Sequence, residues 1–198
     1  MIKKKTLELT EVGVLIALIF LLTFTPIGMI PLTGSVSATT VHIPTIIGSI
    51  LLGPAYGALL GAFMGIASLL RALFMPTGAL DPLFINPIVS VLPRIFVGIV
   101  SGLVFKAIKK ASKEKMPSSL NVGISAAAGT LTNTVLVLSA LCLIYPDKMG
   151  IDSVASAVSG IISTIIAING IVEILSAVII SIPVVLALHK VQRSLIKG

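Results

Sequence analysis

The stretch VGVLIALIFLLTFTPIGMIPLTGSVSATTVHIPTIIGSILLGPAYGALLGAFMGIASLL, Val12 to Leu70, contains no Lys, Arg, Asp or Glu. His42 is its one side chain that titrates near neutrality. A water-soluble core has no use for so much uninterrupted apolar chain, whereas a bilayer crossed repeatedly by helices requires it. Working outward, the basic residues gather in three clusters: Lys3 to Lys5, Lys106 to Lys115 and Lys190 to Lys197. The chain is 56% hydrophobic and 11% charged, with a mean hydropathy of +1.16. The net charge of +7 flanks apolar segments, so it is read as the positive-inside bias and contact with anionic headgroups, and no nucleic-acid partner is expected. The lone Cys142 excludes an intrachain disulfide.

About 20 apolar residues cross the hydrocarbon core as a helix. On that measure the sequence predicts an all-α integral membrane protein, a single domain over residues 1–198 with six transmembrane helices. Their expected positions are about 10–26, 44–53, 54–74, 87–106, 120–145 and 164–191, with an interfacial segment to about Ser163. Gly53-Pro54 breaks the second from the third, and Pro87 opens the fourth. Six crossings put both termini and the basic 107–119 loop on one side, which the positive charge marks as the cytoplasmic face of the cell membrane. The segments 27–44, 75–86 and 146–152 then face outward. The N-terminal apolar run is read as a retained first span, because no A-x-A-like cleavage site follows it.

Two kinds of feature stand out inside the spans. Small residues recur every four positions, as Gly57, Gly61 and Gly65, Gly98 and Gly102, and Gly13 and Ala17. Such stripes let helix backbones approach closely where lipid gives no hydrophobic drive for association. For Gly57 to Gly65 the expected role is holding the bundle together. Gly13 and Ala17 sit at the cytoplasmic end of the first helix, where a partner membrane subunit can dock. The second feature is polar side chains at membrane depth. Arg94, the face formed by Thr130, Asn133 and Thr134, and the pair Asn169 and Glu173 all fall in the outer half or the middle of their helices. Asn169 and Glu173 are four apart and share a face. Two readings of Arg94 and Glu173 stand side by side: an ion pair shielded from lipid, or a site in which Arg94 forks onto an anionic ligand group. His42, Thr40 and Asn86 lie near the outer side and complete the candidate ligand residues. Thr130 and Thr134 are expected to bond their own helix backbone.

Several chemistries lack their residues. There is no P-loop, no H-E-x-x-H and no G-x-S-x-G, so ATP hydrolysis and membrane-embedded catalysis are not expected of this chain. No cluster has metal-ligand spacing, and neither a metal nor a cofactor is expected. With no Trp and only two Tyr, a stacking cage for a large aromatic ring is thinly supplied.

The runs TTVHIPTIIGSILLGPAYGALLGAFMG (Thr39 to Gly65) and INPIVSVLPRIFVG (Ile85 to Gly98) resemble the substrate-binding S components of energy-coupling factor (ECF) vitamin transporters. The resemblance implies a six-helix bundle that captures a small water-soluble vitamin from outside. A transmembrane coupling subunit and two cytosolic ATPase subunits then drive uptake. It implies docking through a small-xxx-small motif, usually A-x-x-x-A, on the first helix, where this chain offers Gly13 and Ala17. It also implies an outer-half ligand site lined by the last three helices, which Arg94, Asn133, Asn169 and Glu173 match by position. VHIPTIIG and NPIVSVLPR look most like the pantothenate-type branch, and a buried Arg with few aromatics suits a flexible carboxylate ligand. An S component for riboflavin, a thiamine precursor or pyridoxine, and a stand-alone secondary transporter, remain the alternatives.

Overall fold

The computed structural model describes residues 4–33, 36–76, 80–112, 117–149, 153, 156, 158–160, 163 and 168–197. Among them, helices of ten or more residues are α1 (Lys4–Phe24), α2 (Ile43–Leu52), α3 (Pro54–Phe74), α4 (Leu92–Ala111), α5 (Ser119–Ile144) and α6 (Ile168–Lys197). Five segments are long and apolar enough to cross a bilayer; α2 is the shorter sixth. The interfacial segment expected before about Ser163 falls largely outside the described residues.

Local sequence sets the helix ends. α1 stops at Phe24 because Thr25 precedes Pro26, and the proline ring disfavours helical backbone before it. α1 begins at Lys4, earlier than the expected start near residue 10, because the helix runs on through the headgroup zone that hydropathy does not register. Ser118 caps α5, its hydroxyl accepting from the Asn121 N–H at 3.4 Å. Between α2 and α3 the chain turns on Gly53 alone, at φ +104°, in the left-handed region that favours glycine.

The segment after α1, expected as a polar connection, instead forms a short antiparallel hairpin, β1 (Met29–Thr33) with β2 (Val36–Thr39). Its register pairs Met29 with Thr39 and Ile30 with Ala38 and shifts between Pro31 and Thr33, next to a proline that has no N–H for a ladder.

α2 is the centre of the bundle and packs against all five other helices. Eight of its residues, Ile43 to Ile50, are buried. Ten residues make about 15 Å of helix, half of a roughly 30 Å hydrocarbon core. Its C-terminal end lies at the basic end of the molecule, since a side chain at Gly53 would sit 3.6 Å from Lys106 Nζ. Its N-terminal end, with His42, therefore stops about halfway through the bundle. Irregular backbone at that depth is tolerated only when enclosed by protein, and Thr40, Val41 and His42 are all buried.

The described parts of the basic clusters share one end of the bundle. Gln192 of α6 donates to Glu11 of α1 at 2.6 and 2.8 Å, and Tyr56 at the start of α3 donates to Glu8 at 3.1 Å. The glycine stripe of α3 lies against α4 as expected. A Cβ at Gly61 would come within 2.7 Å of the Arg94 carbonyl carbon and 2.9 Å of Ile95 Cα, and one at Gly65 would meet Val91 and Ser90. Gly57 and Gly98 face each other backbone to backbone. With no hydrophobic gain available in lipid, this close approach supplies the dispersion contacts that hold the two helices.

Candidate functional site

The fourth apolar segment is not one straight helix. A single turn over Pro87–Ser90 precedes α4, and the two meet at Val91. Pro93 has no N–H, so the carbonyl four residues earlier, on Val89, loses its helical donor. Arg94 takes that place: its Nη1 donates to the Val89 oxygen at 2.5 Å. The guanidinium lies over the Phe84 ring, 5.1 Å from its centroid, a cation–π arrangement. Nε of Arg94 is buried without a hydrogen-bond partner among the described residues. A cation thus sits inside the bundle with its head held and one donor unused.

The end of α2 brings a second group to this layer. His42 is fully buried, and its Nε2 lies 3.1 Å from Thr130 Oγ1 on α5. The ring occupies the N-cap position of α2 yet caps nothing. Its Nδ1 is buried and unpartnered. Both groups are buried, Arg94 at 7% exposure and His42 at 0%. Asn133, about one turn beyond Thr130 on the same face of α5, adds a buried Oδ1 that also lacks a partner. Among the described residues, three of the four buried unsatisfied side-chain atoms belong to His42 beside α2, Arg94 on α4 and Asn133 on α5; the fourth is Ser181 Oγ on α6. Native proteins leave few such atoms unpaired, and the exceptions call for an explanation.

Glu173 sits elsewhere in this arrangement. Its Oε1 accepts from the Thr39 N–H at 2.9 Å and from the Thr39 hydroxyl at 3.0 Å, which ties β2 to α6. Arg94 and Glu173 form no ion pair in the structure, so neither neutralises the other by contact. Thr40 is turned away from the unpaired atoms: its N–H and hydroxyl both donate to the Gly28 oxygen, at 3.0 and 3.2 Å. Asn86 accepts from the Ile88 N–H at 3.0 Å to cap the Pro87–Ser90 turn, with its amide 3.5 Å from the Tyr145 hydroxyl. The side chain of Asn169 lies outside the described residues. Thr130 and Thr134 do bond back to their own helix, at 3.0 and 3.3 Å. Gly13 and Ala17 lie on the outward face of α1 among Val14, Leu18 and Leu21, and the space a side chain at Gly13 would occupy is open.

Nothing in the sequence marks Thr130 as the partner of His42, Phe84 as the ring beneath Arg94, or Thr39 as the partner of Glu173. Pro93 next to Arg94 was the one local signal, because a proline inside a helix frees a carbonyl in advance of any tertiary structure.

A family model described as ECF transporter, substrate-specific component, matches residues 7–185. A protein named pantothenic acid transporter PanT, from Lactococcus lactis subsp. cremoris (strain MG1363), is 33% identical over 173 residues, covering 80% of this chain and 81% of its own length. A pantothenate transporter PanT from Leuconostoc mesenteroides subsp. mesenteroides is 28% identical over 188 residues, covering 91% of each chain. The helical bundle, its membrane-length apolar helices and this extent of similarity lead to one conclusion: the chain is a multi-pass membrane protein that belongs to the family of ECF transporter substrate-specific components.

Proposed function

We propose that this chain captures pantothenate at the outer side of the cell membrane and passes it to a coupling subunit, with ATP hydrolysis supplied by two cytosolic ATPase subunits. The observation that carries the reading is the buried Arg94 with its unused Nε. A guanidinium held by a backbone carbonyl and an aromatic face, with no carboxylate in contact among the described residues, is prepared to receive one from a ligand. Pantothenate supplies a carboxylate on a flexible aliphatic chain, and the two relatives carry its name. Asn133 contacts the amide or hydroxyl portion of the ligand, and the hairpin held by Glu173 covers the site from outside. A larger aromatic vitamin would need stacking surface that a chain with no Trp and two Tyr supplies poorly.

In this reading the basic end of the bundle is cytoplasmic, with both termini there. The outward face of α1 at Gly13 and Ala17 takes the coupling subunit, because the absence of side-chain bulk lets a partner helix approach. The test is affinity purification from cells that express the coupling subunit and ATPases, followed by mass spectrometry of the small molecules released on denaturation. Pantothenate together with the partner subunits is the expected result. Release of a different vitamin would overturn the substrate, and failure to recover the partners would overturn the coupling.

A further inference from the structure

A buried polar atom that no protein group satisfies constrains what binds beside it. Among the described residues Asn133 Oδ1 and His42 Nδ1 are both such atoms, and for His42 the direction of the missing bond follows from its neighbours. The Thr130 hydroxyl has one proton, which it gives to the Ala126 carbonyl at 3.0 Å, the usual back-bond of a helical threonine. Toward His42 that oxygen is therefore an acceptor, and the contact at 3.1 Å requires the proton on Nε2. A second proton would place a cation where no water reaches it, so the site calls for the neutral ring. A neutral imidazole has a single N–H, which leaves Nδ1 as a bare lone pair.

Resting on the pantothenate reading above, we infer that His42 is a specificity-determining residue that accepts a hydrogen bond from a hydroxyl of the ligand. The layer then has a polarity of its own. Arg94 offers a charged donor, and His42 Nδ1 and Asn133 Oδ1 offer acceptors. The matching ligand has a carboxylate at one end and hydroxyl or amide N–H donors further along, and pantothenate has one carboxylate, one amide N–H and two hydroxyls. A molecule with the same carboxylate and no donor there would strand the His42 lone pair in a dry site. Sites built to bond a hydroxyl reject the analogue lacking it more strongly than apolar pockets reject a missing methylene.

The test is equilibrium binding of pantothenate, and of two analogues with one or the other hydroxyl replaced by fluorine, to the purified full-length protein. Fluorine keeps the size and removes the donor. Wild-type protein is expected to bind one of the two analogues at least about tenfold more weakly than pantothenate, the equivalent of one lost hydrogen bond to a buried group. H42F, which keeps a flat ring without the nitrogen, is expected to bind pantothenate about tenfold more weakly and to lose that discrimination. Wild-type protein that binds pantothenate and both analogues equally well overturns the role of His42 and leaves the substrate reading standing. An H42F protein that still discriminates does the same. Wild-type protein that does not bind pantothenate overturns both. Should H42F fail to fold, as judged by its thermal unfolding, H42L, smaller and likewise without the nitrogen, takes its place in the same comparison.

Discussion

Removing the Glu173 carboxylate isolates the bond that holds the hairpin over the bundle. Thr39 donates both its N–H and its hydroxyl to one oxygen of Glu173, at 2.9 and 3.0 Å. Glu173 is only 9% exposed, so water does little to screen the interaction. A hydrogen bond to a charged group contributes about 1.5–3 kcal/mol, and two that share one acceptor oxygen are not additive, so about 2–3 kcal/mol is assigned to the pair. At 1.4 kcal/mol per decade this is roughly 30- to 140-fold in the local opening equilibrium of β2. Glu173→Ala is therefore expected to speed hydrogen exchange at the Thr39 amide by that factor. Glu173→Gln keeps a neutral acceptor and should give about tenfold. Exchange mass spectrometry on a peptide spanning residues 36–41, in detergent or nanodiscs, reads both. Because the hairpin covers the proposed site, ligand release should accelerate in step. Thr39 exchange that stays at the wild-type rate in Glu173→Ala would mean that this carboxylate does not hold β2 in place.

Other perturbations follow from the packing. Gly61→Ala should destabilise by about 1–3 kcal/mol, because its Cβ would collide with the backbone of Arg94 and Ile95, whereas Gly123→Ala, whose nearest atoms lie at 3.5 and 3.6 Å, should be tolerated. Thermal unfolding in detergent compares the two, and equal melting points would contradict the close α3–α4 approach. Pro93→Ala restores an N–H that competes for the Val89 oxygen, so Arg94 should lose its anchor. Ligand binding should weaken severalfold with little loss of stability, and unchanged binding would show that the freed carbonyl does not position Arg94. Gly13→Leu together with Ala17→Leu should leave ligand binding intact and reduce co-purification of the coupling subunit, since both positions face outward from the bundle. Full recovery of the complex would move the docking face elsewhere.

The bundle was legible because lipid acts on every residue of a span. The charge-free run from Val12 to Leu70 marked the first three helices, and Gly53-Pro54 marked the turn between two of them. The Gly57, Gly61 and Gly65 stripe correctly read as helix packing. Boundaries drifted where helices leave the hydrocarbon: α1 starts at Lys4, and α6 runs to Lys197 beyond the expected 191. The hairpin escaped because its strands have five and four residues, one interrupted by Pro31, too short for an alternating pattern to emerge. The site was legible only as residue types at membrane depth. His42 and Thr130 are 88 positions apart and Thr39 and Glu173 are 134 apart, so their pairing depends on how the helices assemble. Arg94 and Glu173 left two sequence readings open, and the folded chain gives each residue a different partner.

Equilibrium binding to purified Arg94→Lys protein shows whether Arg94 receives the carboxylate of pantothenate, as proposed. Lysine keeps the positive charge but loses the planar fork and the Nε donor. A charge-assisted hydrogen bond contributes about 1.5–3 kcal/mol, so affinity should fall at least about tenfold while thermal unfolding stays near that of the wild type. A folded Arg94→Lys protein that binds pantothenate as tightly as the wild type would contradict the account.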